Sequence, residues 1–279
     1  MKKTAAIALG TFDGIHKGHY SVLRGALDFC ADIKVVVTFA VPPMRAGAGL
    51  VMPESVKERL LTEMGFDEIL LLDFPKVRDM SPEEFLQMIF ERYNVVAVSC
   101  GFNHRFGKKA SGDTKLLEEY CKKTNAACLV HEPVLYENEP ISSSRIRAEI
   151  ESGNMQKAAD MLGFDYFIEA PVVSGDARGR QMDFPTANQL PSTDLALPKF
   201  GVYKTVTEID GVNYPSITNI GIRPTYKSKH PIAETHIIGF SGDLYGKTVK
   251  VSFKKFIRDE KKFSSLDEVA EQIKKDIES

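Results

Sequence analysis

The sequence predicts two domains of different class: an α/β domain with a parallel sheet over residues 1–162, then a small antiparallel β-barrel with a terminal helix over residues 163–279. Three observations lead there. In the first half, apolar runs of strand length alternate with amphipathic helical stretches, the pattern of a parallel sheet covered by helices. Past about residue 165 the texture changes to short β-branched runs broken by Gly, Pro and Asp, close enough together for a barrel. The 279 residues, 43% hydrophobic and 27% charged, suffice to bury two separate cores.

The elements follow in chain order. Strands are expected at Ala5 to Leu9, Ile33 to Phe39, Glu68 to Phe74, Val95 to Gly101 and Ala126 to His131, with helices between them. The first helix should begin near His16, because Tyr20 to Cys30 carries apolar residues at helical spacing. Ser81-Pro82-Glu83-Glu84 supplies an N-cap, a proline at the first helical position and a capping-box glutamate ahead of Phe85 to Tyr93. A helix over Asn154 to Leu162 precedes the boundary. Barrel strands are expected at Phe167 to Ser174, Gly201 to Ile209, Tyr214 to Ile220, Glu234 to Phe240 and Thr248 to Ile257. Ser265 and Glu268 would form the capping box of a helix running through Ile277.

Composition narrows the function classes. The formal net charge of −2 gives no general electrostatic argument for nucleic-acid or membrane binding. Met1 to Leu9 imitates the opening of a secretory signal, but Gly10 and Asp13 interrupt the apolar run before a hydrophobic region of signal length, so it reads as a core strand. No later segment approaches the roughly 20 apolar residues that span a bilayer. A cytoplasmic protein is expected. Cys30, Cys100, Cys121 and Cys128 show neither CxxC pairs nor zinc-finger spacing, and reduced thiols are the simplest account.

The most informative string is Gly10-Thr11-Phe12-Asp13-Gly14-Ile15-His16-Lys17-Gly18-His19, which sets two histidines three residues apart where a strand turns into a helix. Residues at i and i+3 share a helix face, so both imidazoles should point the same way, beside backbone N–H groups and the positive end of a helix dipole. Phosphate is the expected guest, and an imidazole there can donate an N–H or carry charge as negative charge accumulates. An open parallel sheet binds ligands beyond its strand carboxyl ends, where Gly10 to His19 and Gly101 to Gly107 would lie.

The string is similar to the HxGH signature of the nucleotidyltransferases, and its longer form resembles the N-terminal module of the bifunctional bacterial FAD synthetases. That resemblance implies a Rossmann-like nucleotidyltransferase domain. His16 and His19 would stabilise the transition state of adenylyl transfer, while Gly10, Phe12, Asp13 and Gly18 shape the ATP cradle. Ile141-Ser142-Ser143-Ser144-Arg145-Ile146-Arg147 resembles the family's ISSTxIR element and would place Ser143, Ser144 and Arg147 on ATP; alone, it would read as a serine-rich helix cap. Gly101-Phe102-Asn103-His104-Arg105-Phe106-Gly107 resembles GxDFRFG and would place Asn103 and Arg105 on FMN; alone, it would be a strand exit with a basic loop.

In the second half, Gly175-Asp176-Ala177-Arg178-Gly179-Arg180 and Phe184-Pro185-Thr186-Ala187-Asn188 resemble riboflavin kinase. Gly175, Gly179, Arg180 and Asn188 would lie on ATP phosphates, and Thr186 with Asn188 on magnesium, since a hydroxyl and an amide oxygen suit a hard cation. Asn219 to Thr225 and Glu234-Thr235-His236 match two further elements of that family, which makes Glu234 the expected catalytic base for the ribityl hydroxyl. Arg258 and Glu260 also match, with Arg258 expected on the flavin side. Gly242 to Thr248 imitates a Walker A loop but fails on glycine spacing, and reads as a hairpin. Gly47-Ala48-Gly49 lacks the third glycine of a dinucleotide fingerprint and reads as a loop.

The resemblance covers nearly the whole chain, with departures beyond the serine that replaces the threonine of ISSTxIR at Ser144. Pro42 stands where the family has a histidine, His104 where it has a phenylalanine, and Asp183 where it has a glycine. The function implied is ATP- and magnesium-dependent phosphorylation of riboflavin to FMN, then adenylation of FMN to FAD, by a monomer or weak homo-oligomer with no nucleic-acid or membrane partner. A riboflavin kinase with a degenerate first domain and a non-catalytic flavin-binding regulator are the alternatives.

Overall fold

The computed structural model describes residues 2–41, 48–174, 185–222, 230–261 and 263–278. The chain divides into two compact units, Met1–Ser143 and Ser144–Ser279. The first begins with β1 (Thr4–Leu9), α1 (Lys17–Asp28), β2 (Ile33–Phe39), α2 (Glu54–Glu63), β3 (Glu68–Leu72), α3 (Phe74–Val77) and α4 (Pro82–Arg92). It continues through β4 (Asn94–Gly101), α5 (Thr114–Lys123), β5 (Ala127–His131) and a two-residue pair, β6 (Leu135–Tyr136) with β7 (Glu139–Pro140). The helix α6 (Ser143–Glu151) opens at the division.

Five parallel strands form the sheet in the order β3-β2-β1-β4-β5. Central β1 is buried from Ala5 to Leu9, which explains why its sequence is a continuous apolar run instead of an alternation: both faces are covered. On one face Ile7, Val35, Val98, Leu86, Ile89 and Leu117 belong to a single apolar cluster. On α1, Gly25 permits a close approach, because a Cβ there would sit 2.3 Å from His131 Nε2 and 2.7 Å from Ser99 Oγ. Ser99 uses that proximity to donate to the Val22 carbonyl at 2.7 Å. The capping box read at Ser81 and Glu84 forms in both directions, at 3.1 and 2.7 Å.

The second unit holds the rest of α6, then α7 (Met155–Leu162), β8 (Phe167–Val173), β9 (Thr186–Gln189), β10 (Gly201–Ile209), β11 (Val212–Ile222), β12 (Pro231–Ile237), β13 (Thr248–Arg258) and α8 (Leu266–Glu278). The strands close into an antiparallel barrel in the order β10-β11-β12-β9-β8-β13. Its buried layer includes hydroxyls: Thr207, Ser216, Thr205, Thr218 and Thr235 form one chain of hydrogen bonds of 2.8 to 2.9 Å across β10, β11 and β12. Each satisfies its neighbour, so the polar layer avoids the desolvation penalty of unpaired groups. The Arg258 guanidinium forks onto the buried Asp276 carboxylate at 2.7 to 3.2 Å, tying α8 to the end of β13.

Several boundaries differ from expectation. β3 ends at Leu72 instead of Phe74, because Phe74 and Pro75 open α3. β12 starts at Pro231 and ends at Ile237, before a turn in which Gly239 adopts φ +76°. The segment Gly242 to Thr248 is not a hairpin: it connects β12 to β13, which β9 and β8 separate in the barrel, and Tyr245 within it bridges to Val172. A strand follows it, as the rejection of a Walker A loop requires. In the cap of α8, Ser265 accepts from the Glu268 N–H at 3.3 Å, but the Glu268 carboxylate receives Ser264 instead of completing the box on Ser265.

Candidate active sites

The loop joining β1 to α1 emerges at the carboxyl edge of the sheet. The sheet order reverses there, between β1 and its neighbour β4. Its backbone is strained at two non-glycine positions, Phe12 at φ +49° and the β-branched Ile15 at φ +40°, each costing about 1–3 kcal/mol that the surrounding packing must offset. Phe12 is buried, and a Cβ on Gly10 would come 2.8 Å from its ring. Asp13 is also buried; its carboxylate accepts the Val51 N–H at 2.9 Å, and its carbonyl accepts the Ser143 hydroxyl at 2.8 Å. Asp13 thereby fastens the loop both to the segment leading into α2 and to the start of α6.

His16 caps α1 from an extended conformation, its Nδ1 accepting the His19 N–H at 3.2 Å. With Nδ1 accepting, the proton of the neutral ring resides on Nε2, which is left as a donor. The two imidazoles stack with centroids 3.6 Å apart and planes 16° from parallel, and Phe12 meets His19 edge-on at 5.4 Å. Burial pushes His16 down to about 4. His19 is lowered well below its ordinary value by burial, then by the charges of His16 and Lys57. Both shifts favour the uncharged rings near neutral pH, in which form they can serve as N–H donors.

Lys57 is the residue that sequence reading missed. It lies on α2 beside Val56 and Leu61, is 4% exposed, and donates to the Phe39 carbonyl at the end of β2 at 2.7 Å. Burial lowers its pKa, while Asp13, Glu54 and Glu58 oppose the shift. A lysine on an amphipathic helix gives no sign of pointing inward, so nothing in its spacing could have shown it.

Asn103 and Arg105 are exposed just beyond β4, and Arg105 reaches Asp113 at 3.5 Å. Between them His104 lies with its ring 5.7 Å from Phe106 and 22° from parallel to it. Its Nε2 is buried with no hydrogen-bond partner among the described residues, and burial lowers its pKa to about 4. His104 therefore serves as an uncharged aromatic spacer, which explains how it can occupy a phenylalanine position. Ser144 and Arg147 lie on the first two turns of α6, the former exposed and the latter half-buried.

These histidines set an acid limit on stability. In the unfolded chain a histidine takes up its proton near pH 6.5, whereas His16 and His104 resist it down to about 4 in the fold. Over that window the unfolded state binds more protons, so stability rises with pH and is lost on acidification. His104→Phe removes one contributor. Its loss of stability between pH 7 and pH 5, followed by urea midpoints, should be smaller than that of the unsubstituted protein by on the order of 2 kcal/mol. Identical losses would contradict a buried neutral His104.

In the barrel, β11, β12 and β9 set Asn219, Glu234 and Asn188 opposite one another in one cross-strand row. Thr186 lies two residues before Asn188, in register with His236, whose Nδ1 is 3.1 Å from the Pro185 carbonyl. Asn188 is 5% exposed, and its Oδ1 has no hydrogen-bond partner among the described residues. A buried acceptor of this kind beside a threonine hydroxyl fits a hard cation. Glu260 closes over Gly221, where a Cβ would lie 2.0 Å from its Oε1, and accepts from Asn219 Nδ2 at 3.5 Å. Gly175, Gly179, Arg180, Asp183 and Phe184 lie outside the described residues, as do Arg223, Pro224, Thr225 and, in the first unit, Pro42 and Gly47.

The parallel sheet with its histidine loop, and the barrel with its carboxylate and amide row, define a two-domain nucleotide-dependent transferase. A family model described as FAD synthetase matches residues 1–145, and one described as riboflavin kinase matches residues 162–279. The chain belongs to the bifunctional riboflavin kinase/FMN adenylyltransferase family. It is 32% identical to the protein of that description from Bacillus subtilis, covering 98% of this chain and 90% of the relative. To the one from Escherichia coli K12 it is 30% identical, over 97% of this chain and 90% of the relative. A crystal structure described as a macrolide-efflux protein from Streptococcus pneumoniae superposes with a TM-score of 0.86 at 31% identity, over 99% of this chain and 93% of that one. Among the described residues of this chain, no helix is long and apolar enough to cross a membrane.

Proposed function

We propose that the barrel unit phosphorylates riboflavin to FMN and the α/β unit adenylates FMN to FAD, each with ATP, in a cytoplasmic protein that is a monomer or weak homo-oligomer. The functional division is placed at 162/163. The observation that supports this reading best is that each unit carries its own polar constellation: a stacked histidine pair in one, and a row of Asn219, Glu234 and Asn188 in the other.

In the kinase half, Glu234 accepts the proton of the ribityl 5′-hydroxyl as its oxygen attacks the terminal phosphorus of ATP, so that the alcohol does not react while protonated. Gly175, Gly179, Arg180 and Asn188 are the phosphate ligands in this reading. Magnesium would be held by the Thr186 hydroxyl and Asn188 Oδ1, where it supplies charge neutralisation for the transferring group. Arg258, forked onto Asp276, acts on the flavin side by fixing α8 against β13.

In the adenylyltransferase half, the FMN phosphate is already anionic and needs no general base. Rate comes from alignment and from donors placed where charge develops. His16 Nε2–H and the His19 ring face the ATP phosphates, with Gly10, Phe12, Asp13 and Gly18 shaping the cradle. Ser143, Ser144 and Arg147 add contacts from the opening of α6, and Asn103 with Arg105 receives FMN. Neutral donors suit this task, because a pre-existing imidazolium would bind ground-state ATP as well as the transition state.

The reading is tested by which phosphate product each flavin releases. ADP should appear when riboflavin is supplied, and pyrophosphate when FMN is supplied. Release of neither in the presence of both flavins would leave only a binding role.

A further inference from the structure

Lys57 is a charged side chain, 4% exposed, at the carboxyl edge of the parallel sheet. Hydrogen bonds fix its place. Its ammonium donates to the carbonyl of Phe39, the last residue of β2, at 2.7 Å. The two residues before Phe39 hold the histidine loop: the Val37 carbonyl accepts the Gly10 N–H at 3.3 Å, and the Thr38 hydroxyl donates to the Thr11 carbonyl at 2.9 Å. From the other side, the Asp13 carboxylate accepts the N–H of Val51, just ahead of Pro53, the N-cap of α2. Strand β2 and helix α2 thus set the Lys57 ammonium beside the loop that carries His16 and His19.

An ammonium has three donors. Among the described residues the Phe39 carbonyl takes one of them, and no carboxylate comes within ion-pair distance. Asp13, Glu54 and Glu58 favour its charged form only from farther away. A cation taken out of water without a contacting partner is costly, so its presence here calls for a countercharge from outside the protein. The neighbouring loop indicates which kind. It ends in a helix N-terminus and a pair of imidazoles, an arrangement suited to phosphate, and His19 Nδ1 is itself buried with no hydrogen-bond partner among the described residues.

We propose that Lys57 is the buried countercharge of the adenylyl-transfer site, offsetting the negative charge that gathers on the departing pyrophosphate of ATP. This inference rests on the adenylyl-transfer reading of the α/β unit. In that step an FMN phosphate oxygen bonds to the α-phosphorus. The bond from this phosphorus to the α,β-bridging oxygen breaks, and its electron pair leaves on pyrophosphate. No proton passes through Lys57, which acts by charge: the histidines donate hydrogen bonds, and the ammonium supplies the net charge they lack. Bound ATP feels part of this attraction. The part that grows as the bridging oxygen gains charge lowers the barrier.

The test compares FAD formation from FMN with magnesium and ATP, or with ATP whose β,γ-bridging oxygen is replaced by CH2 or CF2. The CF2 analogue releases the less basic leaving group. Lys57→Met should lower FAD formation from ATP by about 10–100-fold while riboflavin phosphorylation stays within about twofold. It should also widen the rate ratio between the two analogues by at least about threefold, because the leaving charge is no longer offset. A residue that only braces the fold would slow both analogues by the same factor. Lys57→Gln, which keeps a donor for Phe39 without the charge, should widen the ratio in the same way, and Lys57→Arg, which keeps the charge, should leave it unchanged. Should Lys57→Met fail to fold, the glutamine and arginine variants decide. An unchanged ratio in Lys57→Gln, or an equal widening in Lys57→Arg, would overturn the proposal. No FAD from the unsubstituted protein would instead overturn the adenylyl-transfer reading, and this inference with it.

Discussion

Replacing Glu234 by glutamine is expected to lower FMN formation from riboflavin by about 10²–10⁴-fold, the usual contribution of a positioned general base. FAD formation from supplied FMN should stay within a few-fold of the unsubstituted protein. The substitution preserves size and hydrogen bonding but removes the proton acceptor. Glu234 stands in the same cross-strand row as Asn188 and Asn219, so glutamine can occupy its place without disturbing the barrel register. Riboflavin turnover at an undiminished rate would take the base role away from Glu234. Loss of both activities in a folded protein would argue against separate sites. Chromatography of the flavins after incubation with magnesium-ATP reads both halves.

The converse result is expected for His16→Ala combined with His19→Ala. FAD formation from FMN should drop by at least about 10²–10³-fold, since removing one preorganised donor at a developing negative charge already costs about that much. Riboflavin phosphorylation should persist. The two rings stack at 3.6 Å and His16 caps α1, so the loss combines two donors with a cap worth about 1 kcal/mol. A thermal melt of the variant separates the two: unfolding near the assay temperature would assign the loss to stability, whereas a modest shift leaves it with the chemistry. FAD synthesis at the original rate in a folded variant would remove the histidine pair from the mechanism.

Much of the architecture is legible in the sequence, for reasons that differ by element. β2 matches its mostly apolar run over Ile33–Phe39, because the middle of the strand, Val35 to Val37, is buried on both faces and apolar there. β10 matches over Gly201–Ile209, where inward and outward residues alternate. The cap at Ser81 is readable because its chemistry is local. β9 is different: Thr186–Gln189 is four residues long, three of them polar, too short to show a period, and becomes a strand only because β8 and β12 leave a gap that it fills. Tertiary closure made it, and its sequence announced only a nucleotide motif.

The sites divide in the same way. The histidine spacing foretells a shared face, but not that burial leaves both rings neutral, nor that Phe12 and Ile15 are held in left-handed backbone conformations to build the loop. Those properties depend on what packs around the loop. Lys57 was invisible because a lysine on a helix is ordinarily solvated. The Asn188 oxygen, unpaired among the described residues, likewise depends on strand register, which brings Asn188, Glu234 and Asn219 together though no linear spacing relates them.

The most direct test of a two-step flavin nucleotide synthesis in one chain is to supply magnesium-ATP with riboflavin in one reaction and FMN in another. The products are then resolved by chromatography with fluorescence detection. FAD from both reactions, with FMN appearing first from riboflavin, is the predicted result, and it would show that Pro42 and His104 are compatible with adenylyl transfer. FMN from riboflavin with no FAD from either reaction would contradict the account and leave a kinase fused to an adenylyltransferase fold with no such activity.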